Sequence, residues 1–124
     1  MTKPQILIIE DDAHQLNIFE LTLRSGGFET DTATDGDMAR QRLLETTPDL
    51  VVLDLHLPKV AGTDLLAQIR TDARLKHTRV ILATASALLA ENLRAQADIV
   101  LLKPISPTQL KSLALRLCPL EDTI

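Results

Sequence analysis

Five residues spread along the chain have the right types to act together: Glu10, Asp11, Asp54, Thr84 and Lys103. They stand at the ends of four short aliphatic runs, at 6–9, 50–53, 80–83 and 99–102. Crowded carboxylates repel one another, and at neutral pH all three acids are ionised unless burial intervenes. A hard divalent cation with oxygen ligands resolves that repulsion, and retained waters favour Mg2+ over Zn2+. A hydroxyl and an ammonium beside a metal-bound carboxylate suit phosphoryl transfer. In that chemistry the cation and Lys103 neutralise phosphoryl oxygens, Thr84 donates a hydrogen bond to one of them, and Asp54 is the nucleophile that becomes an aspartyl phosphate. The plainer reading has the acids solvating an edge with Lys103 as their partner, and Asp54 capping the next turn. Four runs that all end in suitable groups weigh against it.

These side chains converge only if the runs lie side by side. Continuous apolar runs of four or five residues bounded by turn formers read as strands buried on both faces. The clearest is 50–54, between Pro48-Asp49 and Pro58. Between the runs, apolar residues recur at helical spacing. Leu16, Phe19 and Leu23 predict a helix from Asp12 or Ala13 to the terminator Gly26-Gly27. Phe28 to Ala33 is a weak strand, Asp35-Gly36 a loop, and 37–46 a short helix carrying Met38, Ala39, Leu43 and Leu44. Gly62 allows a tight turn, and Thr63 or Asp64 is placed to cap a helix with Leu65, Leu66 and Ile69. A helix carrying Leu89, Leu93 and Ala97 follows the third run. Ser106-Pro107 reads as an N-cap with proline at the first helical position, opening a helix lined by Leu110, Leu113 and Leu117.

Strand and helix thus alternate five times, which predicts a doubly wound (βα)5 domain of the flavodoxin-like type: a five-stranded parallel sheet with helices on both faces. In the strand order 2-1-3-4-5, strands one and three flank the crevice where the winding reverses, and ligands bind there, at the carboxyl ends of the strands. Glu10, Asp11 and Asp54 then border one crevice. No linker, repeat or low-complexity stretch interrupts residues 1–124, so a single domain is expected.

Composition narrows the function. The 124 residues include 45% hydrophobic ones, but no Trp, no Tyr and only two Phe, so the core is aliphatic. A net charge of −4 without a basic block argues against a nucleic-acid surface. No apolar run approaches a membrane span, and the first is stopped early by Glu10-Asp11-Asp12, so neither a membrane association nor a signal peptide is expected. One cysteine, Cys118, has no internal partner and sits among Leu115, Leu117 and Leu120; it reads as a buried thiol in a reducing, cytoplasmic setting. His14 and His77 have no ligand spacing around them and read as surface residues.

The sequence resembles the receiver domain of bacterial two-component response regulators. The resemblance rests on Ile-Ile-Glu-Asp-Asp at 8–12, Asp-Leu-Val-Val-Leu-Asp-Leu-His-Leu-Pro at 49–58 with Gly62, Ala-Thr-Ala at 83–85, and Leu-Lys-Pro at 102–104, four motifs in order across the whole chain. It implies Asp54 as phosphoacceptor and Mg2+ held by Glu10, Asp11, Asp54 and the backbone carbonyl of His56. It also implies Thr84 and Lys103 on the phosphoryl oxygens, and a cis bond between Lys103 and Pro104. The donor it implies is a sensor histidine kinase or His-phosphotransfer domain, and the output is protein contact with a downstream target. Stand-alone signalling of this kind is self-catalysed phosphotransfer and autodephosphorylation rather than turnover of a separate substrate.

Three departures stand out. Receivers usually carry Tyr or Phe shortly before the lysine of strand five; the matching position here is Val100. The stretch between Thr84 and Lys103 is short, with Ala95-Gln96-Ala97-Asp98 in place of the familiar glycine, so the fourth helix is expected to be short or shifted. Positions 56 and 86, which border the path of the hydrolytic water in this family, are His and Ser. His56 is expected to contribute its carbonyl alone, with its ring in solvent. Phosphorylation is expected, with a different readout. The competing expectation is an interaction module that keeps the fold without phosphorylation control. A phosphatase using an aspartyl phosphate would carry a second acid where His56 stands, and a flavodoxin-like carrier would need hydroxyl-rich or aromatic loops that the chain lacks.

Overall fold

A computed structural model describes residues 3–120. The ends to which the expectation of one domain over 1–124 extends, 1–2 and 121–124, lie outside the described residues. Ten elements alternate: β1 (Gln5–Ile9), α1 (Ala13–Ser25), β2 (Glu29–Ala33), α2 (Gly36–Glu45), β3 (Leu50–Asp54), α3 (Gly62–Thr71), β4 (Arg79–Thr84), α4 (Ala87–Leu93), β5 (Ile99–Leu102) and α5 (Pro107–Leu117). Short 3₁₀ turns follow α3 at Ala73–Leu75 and α4 at Arg94–Gln96. All strands are parallel and their order is 2-1-3-4-5, the doubly wound, flavodoxin-like arrangement expected.

The period of two along each strand divides the core. Leu7, Ile9, Val51, Leu53, Val80 and Leu82 face one way and pack against α2, α3 and α4 through Leu43, Leu65, Ile69 and Leu93. Ile6, Ile8, Leu50, Val52 and Ile81 face the other way, onto Phe19 and Leu23 of α1 and Leu110 and Ala114 of α5. Central strands covered on both faces have no polar side to show, which is why they read as unbroken aliphatic runs.

Local chemistry sets the helix ends. Asp12 caps α1 by accepting from the N–H groups of His14 and Gln15. The helix closes in a Schellman turn: Gly27 N–H donates to the Arg24 carbonyl and Phe28 N–H to that of Leu23, with Gly27 at φ 98°. Phe28 therefore belongs to this turn and to the core rather than to β2. Ser106 caps α5 by accepting from Gln109 N–H, with Pro107 opening the helix as expected.

Several expectations are corrected. Asp35-Gly36 is not a free loop: Asp35 caps α2 by accepting from Met38 N–H, and Gly36 is the first helical residue. Helix α3 starts at Gly62 behind Ala61, so neither Thr63 nor Asp64 is its cap; no side chain caps it. The reason is close packing, since a Cβ on Gly62 would lie 2.5 Å from Leu55 Cα. Helix α4 ends at Leu93, which places Ala97 outside it. The short fourth helix expected from the reduced spacing is present. Strand β5 is half-buried rather than buried, because it is the last strand of the sheet and Leu102 is exposed. Cys118 is half-buried at the end of α5, and burial pushes its thiol pKa up, which keeps it protonated and unreactive.

Asp98 closes the stretch 95–98 that replaces the familiar glycine. It accepts from Val80 N–H at 2.7 Å and pairs with Arg70 and Arg79 at 3.2 and 3.3 Å, while Arg70 also donates to the carbonyls of Gln96 and Thr78. A carboxylate with two guanidinium partners thus ties the start of β5 to α3 and β4.

Candidate functional site

The carboxyl ends of β1, β3, β4 and β5 meet along one edge and bring the five predicted side chains there. Asp54 ends β3 and is 2% exposed; Glu10 follows β1 and is 4% exposed. Asp11, beside them, is exposed. One carboxylate oxygen from each of the three lies within 4.8 Å of the others. Lys103, just past β5, places Nζ 2.9 Å from Asp54 Oδ2 and 3.9 Å from Glu10 Oε1. The Lys103–Pro104 bond is cis, as expected. Thr84 ends β4 and is fully buried.

The backbone holds the nucleophile candidate in place. Asp54 Oδ1 accepts from His56 N–H at 3.0 Å, so the chain turns back over its own side chain directly after β3. Leu55 N–H still donates to the Ala83 carbonyl, which extends the β3–β4 pairing by one step. Beyond it, residues 55–61 are fixed between two glycines. A Cβ on Gly36 would meet Val60 Cβ at 2.3 Å, and one on Gly62 would meet Leu55. Lys59 takes a positive φ of 75° in the same loop.

Charge crowding is visible in the acids. Burial, a hydrogen bond with Asp54 and the charge of Asp54 together push the Glu10 carboxyl up to about 7, against the opposing pull of Asp12 N–H and Lys103. Glu10 therefore keeps its proton well above the usual carboxylate range in the absence of a cation. Burial works against the Lys103 ammonium, but the hydrogen bond and charge of Asp54, with Glu10 and Asp11, outweigh it and raise its pKa. Three hard oxygen donors, two of them buried, fit a small divalent cation that would displace the proton held by Glu10.

One residue is misplaced by sequence reasoning. The His56 ring, expected in solvent, reaches back over the edge although the residue is exposed, and Nε2 lies 2.9 Å from Thr84 Oγ1. The signal that points to it is the sheet register. Asp54 pairs with Ala83, so the loop that follows β3 lies beside the end of β4 where Thr84 stands. Ser86 takes part through its backbone, its N–H donating to Thr84 Oγ1 at 3.0 Å, while its side chain caps α4. His14 and His77 are exposed, as expected.

A doubly wound parallel sheet with an acid cluster, a hydroxyl and an ammonium on its carboxyl edge defines a small class of α/β proteins. The chain belongs to the response regulator receiver domain family, whose model matches residues 6–115. It is 32% identical over 108 residues to the DNA-binding response regulator MtrA of Mycobacterium tuberculosis, a match that covers 87% of this chain and 47% of MtrA. The chain thus spans about half the length of the curated relatives it matches. Among solved structures it is similar to a CheY-like response regulator receiver domain protein from Methanospirillum hungatei (TM-score 0.82, 26% identity, 94% of both chains). It is also similar to the response regulator protein TrrA from Thermotoga maritima in complex with Mg2+ and BeF (TM-score 0.82, 28% identity, 92% of this chain and 98% of TrrA).

Proposed function

We propose that this chain is a phosphoacceptor: Asp54 takes a phosphoryl group from a phosphohistidine of a sensor histidine kinase or His-phosphotransfer domain. The observation that carries the reading is Asp54 itself, nearly buried at the end of β3, 2.9 Å from Lys103 and inside a cluster of three carboxylates. An Asp54 carboxylate oxygen attacks phosphorus as the P–N bond breaks, and the imidazole leaves with a proton from solvent. Lys103 moves with the charge from the carboxylate to the phosphoryl oxygens, and the Thr84 hydroxyl donates to one of them. Glu10, Asp11, Asp54 and the His56 carbonyl are the groups that would hold Mg2+, which supplies charge neutralisation and in-line positioning when bound. The Mg2+–BeF complex of TrrA supports this assignment by similarity.

The phosphorylated chain signals through protein contacts in a cytoplasmic setting and turns over no separate substrate. No helix among the described residues is long and apolar enough to cross a membrane. MtrA is a DNA-binding regulator, but the match covers only 47% of it, and a net charge of −4 without a basic block argues against a nucleic-acid surface here. One observation favours a second reading, an interaction module free of phosphorylation control: Val100 stands in place of the aromatic residue that moves with the threonine.

Intact mass after incubation with acetyl phosphate decides between them. A single phosphoryl addition that requires both Mg2+ and Asp54, and is lost in Asp54→Asn, is the expected result. No addition to a folded protein, from acetyl phosphate or from a phosphorylated histidine donor, refutes the phosphoacceptor reading and leaves the interaction module.

A further inference from the structure

We propose that His56 is the positioning residue for Thr84. Its imidazole accepts a hydrogen bond from the Thr84 hydroxyl in the unphosphorylated protein and gives that bond up when a phosphoryl oxygen on Asp54 accepts it instead. The inference rests on the phosphoacceptor reading of Asp54.

Donors and acceptors around Thr84 set the direction of the bond. Thr84 is fully buried, and a hydroxyl offers one proton and two acceptor positions. Among the described residues, Oγ1 has two hydrogen-bond partners: Ser86 N–H at 3.0 Å and His56 Nε2 at 2.9 Å. The amide can only donate, so it fills an acceptor position. The imidazole nitrogen is then the protein group that can take the hydroxyl proton, and a buried hydroxyl proton without an acceptor is unfavourable. This fixes the ring in the tautomer with its own proton on Nδ1. Phosphoryl oxygens are acceptors only, so one arriving on Asp54 competes with His56 for a single proton.

The same residue touches the nucleophile. His56 N–H donates to Asp54 Oδ1 while its ring holds Thr84, so both ends of the phosphorylation reaction bear on one loop residue. Its ring is exposed, and its displacement changes the surface of the loop between β3 and α3. Val100 packs half-buried against the core and has no polar group with which to follow Thr84. His56 therefore takes over in this chain the task of reporting where the Thr84 hydroxyl points. The wild-type phosphorylated state is weakened by the hydrogen bond that must first be given up.

The test uses beryllofluoride with Mg2+ as the phosphoryl probe and protein labelled with 15N in its histidines, with His56 assigned by its loss in His56→Phe. Phenylalanine keeps the bulk of the ring and cannot accept. In the resting protein, Thr84→Val is expected to shift the His56 Nε2 resonance, and beryllofluoride to shift it in the wild type. His56→Phe is expected to bind beryllofluoride about three- to tenfold more tightly, the worth of one neutral hydrogen bond, and this gain is expected to vanish in the Thr84→Val background. A His56 resonance unmoved by Thr84→Val in the resting protein overturns the proposal and leaves the phosphoacceptor reading standing. So does weaker binding by His56→Phe, which would mean that the ring donates. A wild-type protein that takes neither beryllofluoride nor a phosphoryl group overturns both.

Discussion

Replacing Glu10 with Gln should stabilise the cation-free protein, and by more as pH rises. Glu10 is 4% exposed and its carboxyl is pushed up from 4.5 to about 7 by burial and by Asp54. Between these two values the folded state binds a proton that the unfolded chain has released. Stability therefore falls as pH climbs through this window, the opposite of the behaviour of a salt-bridged acid. A carboxyl pushed up to about 7 in this way corresponds to about 3 kcal/mol. Water reaching the crevice beside exposed Asp11 lowers this to about 2 kcal/mol. Glutamine keeps the shape and the hydrogen bonding and cannot ionise. Urea unfolding in EDTA, followed by far-ultraviolet circular dichroism, reads the difference between the two proteins at steps from pH 5 to pH 8. The expected outcome is near-equality at the acid end and an advantage of about 2 kcal/mol for Glu10→Gln at the alkaline end. Millimolar Mg2+ should narrow or reverse the gap, because the wild-type cluster gains a cation that the amide holds less well. A difference that is constant across pH would refute the reasoning, since it would place the effect in packing rather than in the proton on Glu10.

Lys103→Met removes the only cation within 4 Å of Asp54 among the described residues; it should destabilise the protein by about 2 kcal/mol at neutral pH in urea unfolding and abolish phosphoryl addition in the mass assay. Gly62→Ala puts a methyl 2.9 Å from the Leu55 carbonyl oxygen, against backbone that cannot yield without moving β3 or α3. It should cost about 1–3 kcal/mol and slow phosphorylation by displacing the 55–61 loop, both measurable on one preparation. Asp98→Ala leaves Val80 N–H and two guanidinium groups without their acceptor, far from Asp54. The expected loss is about 2 kcal/mol in thermal unfolding, with acetyl phosphate labelling of the folded protein unchanged.

What the sequence revealed of this molecule, and what it hid, divides along a physical line. Strands buried on both faces must be aliphatic throughout, so β1, β3 and β4 were legible as runs, and their polar ends marked the edge where Glu10, Asp54 and Thr84 converge. Edge elements obey weaker rules. Strand β5 has neighbours on one side, so its apolar run did not require full burial, and β2, with Glu29, Thr30, Asp31 and Thr32, never showed a run at all. Helix starts set by close packing rather than by a capping side chain were also invisible: α3 begins where Gly62 meets the Leu55 backbone, and Thr63 and Asp64 are good caps that the tertiary contact leaves unused.

The His56 ring belongs to the same second category, and its consequence is functional. Sequence spacing locates a residue along its own strand, whereas the His56–Thr84 bond depends on the register between β3 and β4 and on a loop held down at Gly36 and Gly62. Those two glycines have no chemistry of their own, yet they set the height of the 55–61 loop over the site. A shift of that loop by the width of a methyl would carry His56 out of hydrogen-bond range of Thr84, since a bond of 2.9 Å is lost by about 3.5 Å. The Gly62→Ala and His56→Phe proteins should therefore differ in a diagnostic way. Both lose the bond to Thr84, but only Gly62→Ala also displaces the His56 N–H from Asp54 Oδ1. Faster or tighter phosphoryl loading in His56→Phe together with slower loading in Gly62→Ala would separate the ring's restraint on Thr84 from the loop's support of Asp54; equal effects of the same sign would show that the loop acts as one piece.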